Sequence, residues 1–275
     1  MIPTPPGGRV RARRSLSQNF LVDHNLRRKL VSALDAGSAD HVLEVGPGHG
    51  ELSELLVGNV KRLILVEKDD RLAELLSSRW SGRDDVRVVH ADALEIDLSE
   101  QVAGAAGLRL ISNVPYSITS PLLFRFLDIR PVPQRIVVLV QEEVGRRIVA
   151  DPATREYGAL SVGIRARADA QVAFRVGRRA FRPVPAVESV AVVIEPHGGG
   201  PDGGRATALR ELTRVAFSRR RKQIRRILRD APEYRLTTEA ADALLAALGI
   251  DPTARPETFD PGTFMRLADR LGGPD

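Results

Sequence analysis

The sequence predicts an α/β domain, a mostly parallel sheet with helices on both faces, followed by a small all-α domain. Three observations carry that expectation. Short apolar runs alternate with segments of helical spacing across residues 41–140. Several of those runs are apolar on both faces, as strands buried between two helical layers must be. Composition then breaks at His197-Gly-Gly-Gly-Pro-Asp-Gly-Gly204, and beyond it every periodic segment is helical.

The elements follow in order. His41–Val45 reads as a strand ending in a glycine turn, and Glu51–Val57 continues with helical spacing. Arg62–Glu67 is a second strand, and Arg71–Arg79 a helix with Leu72, Leu75 and Leu76 on one face. Val86–His90 and Leu108–Ile111 give two further strands. Thr119–Leu127 reads as a helix, and Arg135–Val140 is a nearly continuous apolar strand. Val187–Ile194 alternates less cleanly and is expected at a sheet edge. Helices are then expected over 206–217, 221–229, 238–247 and 261–270, with Gly249 and Pro252 closing the third. The organisation implied is a disordered basic leader over 1–14, an α/β domain over 15–197, a glycine-rich linker over 198–204 and a helical domain over 205–275.

Composition narrows the possibilities. The chain has 275 residues, 43% of them hydrophobic, enough to bury a substantial core. It has no cysteine, so disulfides, thiolate metal sites and cysteine nucleophiles are excluded. No apolar run approaches the roughly 18 residues of a membrane span, and a cytoplasmic location is expected. The net charge of +6 is unevenly spread. Residues 1–14 carry four arginines and no acid, residues 205–229 carry ten basic residues against Glu211, and the remainder is net negative. Basic segments on an acidic body point to a polyanionic partner at those segments. Arg219, Arg220, Arg221, Lys222, Arg225 and Arg226 are the candidates, with Arg219, Lys222 and Arg226 placed on one helical face.

Leu43-Glu-Val-Gly-Pro-Gly-His-Gly50 puts glycines where the first strand turns toward a helix. Gly46 and Gly48 there permit positive φ and a close ligand approach. The spacing is G-x-G-x-G, and the position a dinucleotide fingerprint would fill with its third glycine is Glu51. That disfavours a nicotinamide cofactor. Glu67, at the end of the second strand, can accept from two ribose hydroxyls, and Asp92, after the third, from an adenine amino group. Together they suit an adenosine cofactor without phosphates, S-adenosylmethionine. No metal is expected.

The fourth strand runs into Asn113-Val-Pro-Tyr116, the most specific signal in the chain. An exocyclic amine on adenine is a poor nucleophile because its lone pair is delocalised. The Asn113 side-chain oxygen and the Val114 carbonyl can accept its two N–H bonds and aim the lone pair at a sulfonium methyl. Pro115 fixes φ in the turn and Tyr116 offers a stacking face. The leaving group is a neutral thioether, so positioning supplies most of the acceleration.

With these residues in hand, the chain resembles the ribosomal RNA adenine N6-dimethyltransferase family over about residues 11–270. The matching pieces are Ser17–Asp23, Glu44–Gly50, Asn113–Ile118, Tyr157–Ser161, Phe181–Ser189 and Phe217–Lys222. The resemblance implies a Rossmann-like class I methyltransferase fold and a cofactor held by Asn19, Leu21, Gly46, Glu67, Asp92 and Asn113. Asn19 and Leu21 rest on the resemblance alone. It also implies Phe181 packing against a flipped adenine opposite Tyr116, and small-subunit rRNA within the 30S particle as partner of a monomeric enzyme. The reaction implied is dimethylation of two adjacent adenosines near the 3′ end. Ser17 and Ser112 stand where the family usually has Gly, and Val114 where it usually has Leu. Ser17 also occurs in the antibiotic-resistance branch, which methylates a large-subunit adenosine, so that substrate stays open, as does a non-catalytic role in ribosome assembly.

Overall fold

The structure is a computed structural model, and it describes residue 13 and residues 18–201 and 203–272. Of the leader, only Arg13 falls among them. Ser17 lies outside the described residues. The strands are β1 (Phe20–Leu21), β2 (His41–Val45), β3 (Arg62–Glu67), β4 (Val86–His90), β5 (Arg109–Asn113), β6 (Arg135–Gln141), β7 (Ala168–Val176), β8 (Phe181–Arg182) and β9 (Ser189–Pro196). The helices are α1 (His24–Leu34), α2 (Ser53–Leu56), α3 (Asp70–Arg79), α4 (Leu98–Gln101), α5 (Thr119–Asp128), α6 (Glu142–Val149), α7 (Ala159–Arg165), α8 (Gly203–Ser218), α9 (Ile224–Asp230), α10 (Thr238–Ala247) and α11 (Pro261–Leu271). No described helix is long and apolar enough to cross a membrane.

Seven strands form one sheet in the order β4-β3-β2-β5-β6-β9-β7. The first five are parallel, with Val42 opposite Leu63 and Arg109, and β9 runs antiparallel to β6. Val42, Leu63, Leu65, Ile111, Val137 and Leu139 share one core with Leu30 and Leu34 of α1. The alternating residues Leu43, Ile64, Val66, Leu110 and Val138 are equally buried, so both faces of the sheet are covered. Helix starts are set locally. Asp23 accepts from the backbone N–H of Asn25 and Leu26, Asp69 from that of Arg71, and Asp97 from that of Ser99 and Glu100.

Two expectations are corrected within the sheet. The strand around Val187–Ile194 is not an edge, because β9 lies between β6 and β7. Its residues Val190–Ile194 are all buried, as an internal strand requires. The edge is β7, whose middle residues are mostly exposed. Its Ala-Asp-Ala-Gln-Val-Ala-Phe-Arg-Val sequence has no continuous apolar run to announce it. The helix expected at Glu51–Val57 is a single turn, α2.

The described residues divide into two compact units: one holds the chain to Gly145 with Ala170–Pro196, the other Arg146–Asp169 with the chain from His197. The helical unit therefore includes α7, and α8 begins at Gly203, inside the expected linker. Its core gathers Leu209, Leu212 and Ala216 of α8, Ile224 and Leu228 of α9, Leu245 of α10 and Phe264 and Leu267 of α11. Tyr157, from the segment before α7, is buried there and donates its hydroxyl to the Phe259 carbonyl at 2.8 Å. Phe264 sits at the centre, its ring 5.6 Å from that of Phe217 and 5.7 Å from that of Phe259. Phe264→Ala is expected to lower the stability of this unit by about 3–5 kcal/mol, read by calorimetric or denaturant unfolding. A loss below about 1 kcal/mol would show that the ring is not its packing centre.

Candidate active site

In a doubly wound sheet the ligand crevice opens at the carboxyl ends of the strands, where strand order reverses. That point here lies between β2 and β5, which are neighbours although two strands separate them in sequence. A cavity of about 190 Å³ opens there. It brings together Gly46 and Gly48 after β2, Glu67 at the end of β3, Asp92 after β4 and Asn113-Val-Pro-Tyr116 after β5.

The glycine turn needs its glycines. Gly46, Gly48 and Gly50 have φ of 70°, 62° and 83°, a region L side chains rarely adopt. A Cβ on Gly46 would project into open space, whereas one on Gly48 would lie 2.9 Å from the Phe20 ring. Glu67 is locked in place from two sides, with the Gly48 N–H donating to Oε2 at 3.1 Å and the Asp69 N–H to Oε1 at 2.9 Å. Desolvation raises its pKa, while these two donors oppose the shift. Asp92 accepts from the Leu94 N–H at 2.9 Å and from Lys68 Nζ at 2.5 Å. Its pKa is lowered: desolvation is the largest single influence and acts upward, but the Lys68 and Leu94 bonds and the charges of Lys68 and Arg125 together outweigh it.

Asn113 Nδ2 donates to the Asn19 carbonyl at 2.8 Å. That bond fixes the amide, so Oδ1 is the end left to accept a hydrogen bond. Tyr116 shares a 2.8 Å hydrogen bond with the Ser189 hydroxyl, and burial raises its pKa, so it stays neutral. Gln18, Asn19 and Phe20 also line the cavity. Gln18 Nε2 donates to Asp69 Oδ2 at 3.2 Å, and Phe20 packs edge-on to His49 with centroids 4.3 Å apart. Gln18, Phe20 and Lys68 were not singled out by sequence reasoning, because each meets the cavity through a different distant partner.

Two expected site residues are elsewhere. Phe181 is fully buried in the core beneath β1, paired with Leu21 in the β1–β8 ladder, and does not line the cavity. Leu21 is likewise a core residue. In a two-residue strand one side chain faces the core and its neighbour the other way, and here Phe20 takes the cavity side.

The basic segment is also corrected. Arg219–Lys222 is a turn between α8 and α9, closed by the Arg219 N–H to Ala216 and the Lys222 N–H to Arg219. Gln223 is extended, at φ −65° and ψ 147°, and interrupts the helix. Arg219, Lys222 and Arg226 therefore do not share a helical face. Arg220 is committed internally, donating to the Arg155 and Thr154 carbonyls at 2.7 and 2.8 Å. Arg225 pairs with Asp242 at 3.1 Å and Lys222 with Asp230 at 4.0 Å, while Arg219 donates to the Ser218 hydroxyl at 3.5 Å. Arg221 and Arg226 are exposed and make no side-chain hydrogen bond or ion pair among the described residues, although the charge of Arg226 acts on Asp230.

This fold and site define a Rossmann-like methyltransferase of the S-adenosylmethionine-dependent type. The family model for ribosomal RNA adenine dimethylase matches residues 9–271. The chain belongs to the ribosomal RNA adenine dimethylase family. It is 38% identical over 265 residues to the ribosomal RNA small subunit methyltransferase A of Geobacter metallireducens, covering 95% of this chain and 96% of that protein. The protein of that name from Nitratidesulfovibrio vulgaris is 38% identical over 263 residues, covering 95% and 97%. Among solved structures, a dimethyladenosine transferase from Plasmodium falciparum has the same fold, with a TM-score of 0.75 and 23% identity over 90% of this chain and 95% of that one. The 23S rRNA methyltransferase ErmE shares it at a TM-score of 0.65 and 24% identity, covering 92% and 99%.

Beneath the glycine turn, Glu44 is fully buried and holds the Ser53 hydroxyl at 2.6 Å. Burial pushes its pKa up from 4.5 to about 8, and the charges of Glu51 and Glu67 add to the rise. Between those values the folded chain holds a proton the unfolded chain has lost, so stability falls as pH rises through that window. Glu44→Gln keeps the shape and removes the titration. Melting temperatures from about pH 5 to about pH 8.5 are expected to flatten relative to the wild type. A slope unchanged by the substitution would assign it to another group.

Proposed function

We propose that this protein transfers methyl groups from S-adenosylmethionine to the N6 amine of two adjacent adenosines near the 3′ end of small-subunit rRNA, acting as a monomer on the 30S particle in the cytoplasm. The observation that carries the reading is the fixed Asn113 amide in a cavity that Glu67 and Asp92 also line. Near-full-length similarity to proteins named for the small subunit favours that substrate over a large-subunit adenosine.

The residues present fit the cofactor. Gly46 leaves open space beside its backbone, where a side chain would intrude. Glu67 would receive the ribose hydroxyls and Asp92 the adenine amine. When bound, the cofactor supplies an electrophilic methyl on a sulfur that leaves as a neutral thioether.

The chain's own residues then act on the amine. Asn113 Oδ1 accepts one N6 hydrogen and the Val114 carbonyl the other, drawing the nitrogen toward sp³ geometry with its lone pair aimed into the cavity. Val114 is held by its own N–H, which donates to Leu139 at 3.2 Å. Pro115 sets the turn, and its carbonyl accepts from the Ile118 N–H at 3.1 Å, starting the helical turn that carries Tyr116. Tyr116 provides the stacking face, anchored through Ser189. The proton released by the methylated nitrogen passes to solvent.

Asn113→Ala removes an acceptor needed as charge develops on nitrogen, and kcat is expected to fall on the order of a hundredfold or more. The measurement is transfer of labelled methyl to small subunits from cells lacking the protein. Full activity would overturn the mechanism, and no transfer by the wild type would overturn the function.

In the helical unit the candidates for rRNA contact narrow to the exposed Arg221 and Arg226. Arg221→Gln/Arg226→Gln is expected to reduce the slope of log affinity against log salt by about 2, as two lost phosphate contacts would. Arg220→Gln is expected instead to lower thermal stability, because its guanidinium holds the 154–155 backbone. An unchanged slope in the double variant would remove these two from the RNA interface.

A further inference from the structure

Within the unit that carries the cavity, one stretch breaks the acidic pattern. Residues 170–187 contain Arg175, Arg178, Arg179 and Arg182 and no carboxylate. Arg178 and Arg179 form a helical turn after β7, and Arg182 follows in β8. All four are exposed. Arg175 stands 3.5 Å from Glu142. Among the described residues no carboxylate pairs with the side chain of Arg178, Arg179 or Arg182. Glu188, the nearest acid in sequence, is spent on the backbone, its Oε2 accepting from the Arg178 N–H at 2.7 Å. Arg182 Nη1 donates to the Arg179 and Phe181 carbonyls at 3.1 and 2.8 Å, which braces the turn.

The turn adjoins the active site on two sides. Arg182 pairs in register with Phe20, which lines the cavity, and the Val22 N–H donates to the Ala180 carbonyl at 2.7 Å. On the other side the chain runs from Pro183 to Ser189, whose hydroxyl holds Tyr116. The exposed large hydrophobic residues among those described, Val172, Val184 and Val187, all lie on β7 or in this loop. A cationic surface interspersed with small apolar side chains suits a nucleic-acid strand, whose phosphates and unstacked bases need both.

The geometry points to the arginine turn 178–182 as a second RNA-binding surface, gripping the phosphates that flank the target adenosine while that base occupies the cavity. The assignment rests on the methyl-transfer reading for its substrate. It gives the catalytic unit its own hold on RNA, separate from Arg221 and Arg226, and selects for a strand whose neighbouring nucleotides follow the base out of a helix.

The test uses the full chain and a hairpin RNA carrying two adjacent loop adenosines. Arg178→Gln/Arg179→Gln is compared with Lys61→Gln/Arg62→Gln, which removes equal charge from exposed residues at the amino-terminal end of β3. The Arg178/Arg179 variant is expected to lose about 1.4 from the salt slope of RNA binding, as two lost contacts to a single strand would, and the control nothing. In the methyl-transfer assay KM for small subunits rises while kcat and cofactor affinity hold. An unchanged slope, or an equal loss in the control, overturns the proposal. If the wild type binds the hairpin yet transfers no label to small subunits, the enzymatic reading fails, and the slope comparison still decides whether the turn binds RNA.

Discussion

The 2.8 Å hydrogen bond from the Asn113 amide to the Asn19 carbonyl joins residues 94 positions apart, and the site is assembled around it. An amide has two chemically different ends, and only one of them can accept from an amine. Committing Nδ2 to a main-chain carbonyl decides which end faces the cavity. Asn19 can supply that carbonyl because its neighbours are held. Gln18 bonds Asp69, Phe20 packs over Gly48, and β1 pairs with β8. Three consecutive residues, Gln18, Asn19 and Phe20, thus clamp the ends of β2, β3 and β5.

Asp69 shows how such a clamp is kept rigid. Its buried carboxylate caps α3, receives Arg71 through Nε and Nη2 at 3.1 and 2.7 Å, and takes the Gln18 amide as well. These donors, led by Arg71, hold its carboxyl well below the usual range despite partial desolvation. Its own N–H positions Glu67. A single acid therefore starts a helix, orients the carboxylate beside it and retains the segment that covers the cavity.

The charge pattern takes on a different form in three dimensions. The sequence suggested an acidic body with two basic segments. In the segment at 219–229 Arg220 and Arg225 are taken up by internal partners, and the acidic body carries its own exposed arginines at 178–182, of which Arg178 and Arg179 have side chains with no carboxylate partner among the described residues. Local charge counts cannot distinguish a guanidinium spent on a carbonyl from one offered to solvent. The partners of Arg220 lie 65 and 66 residues away.

What the sequence determined by itself was whatever a local or periodic signal could encode. The central strands were legible because burial on both faces demands unbroken apolar runs, as in Arg62–Glu67. Gly46 and Gly48, Glu67, Asp92 and Asn113–Tyr116 were legible as one cluster because they stand at strand ends that a parallel sheet brings together, and one cavity gathers them. The tertiary structure alone decided which neighbours each residue would have. It placed β9 inside the sheet and β7 at its edge, and buried Phe181 while turning Phe20 to the cavity. It also broke the helix expected through Arg219–Lys222. The reason is physical: periodicity reports burial averaged over an element, whereas two-residue strands and turns take their orientation from single contacts with residues far away in the chain.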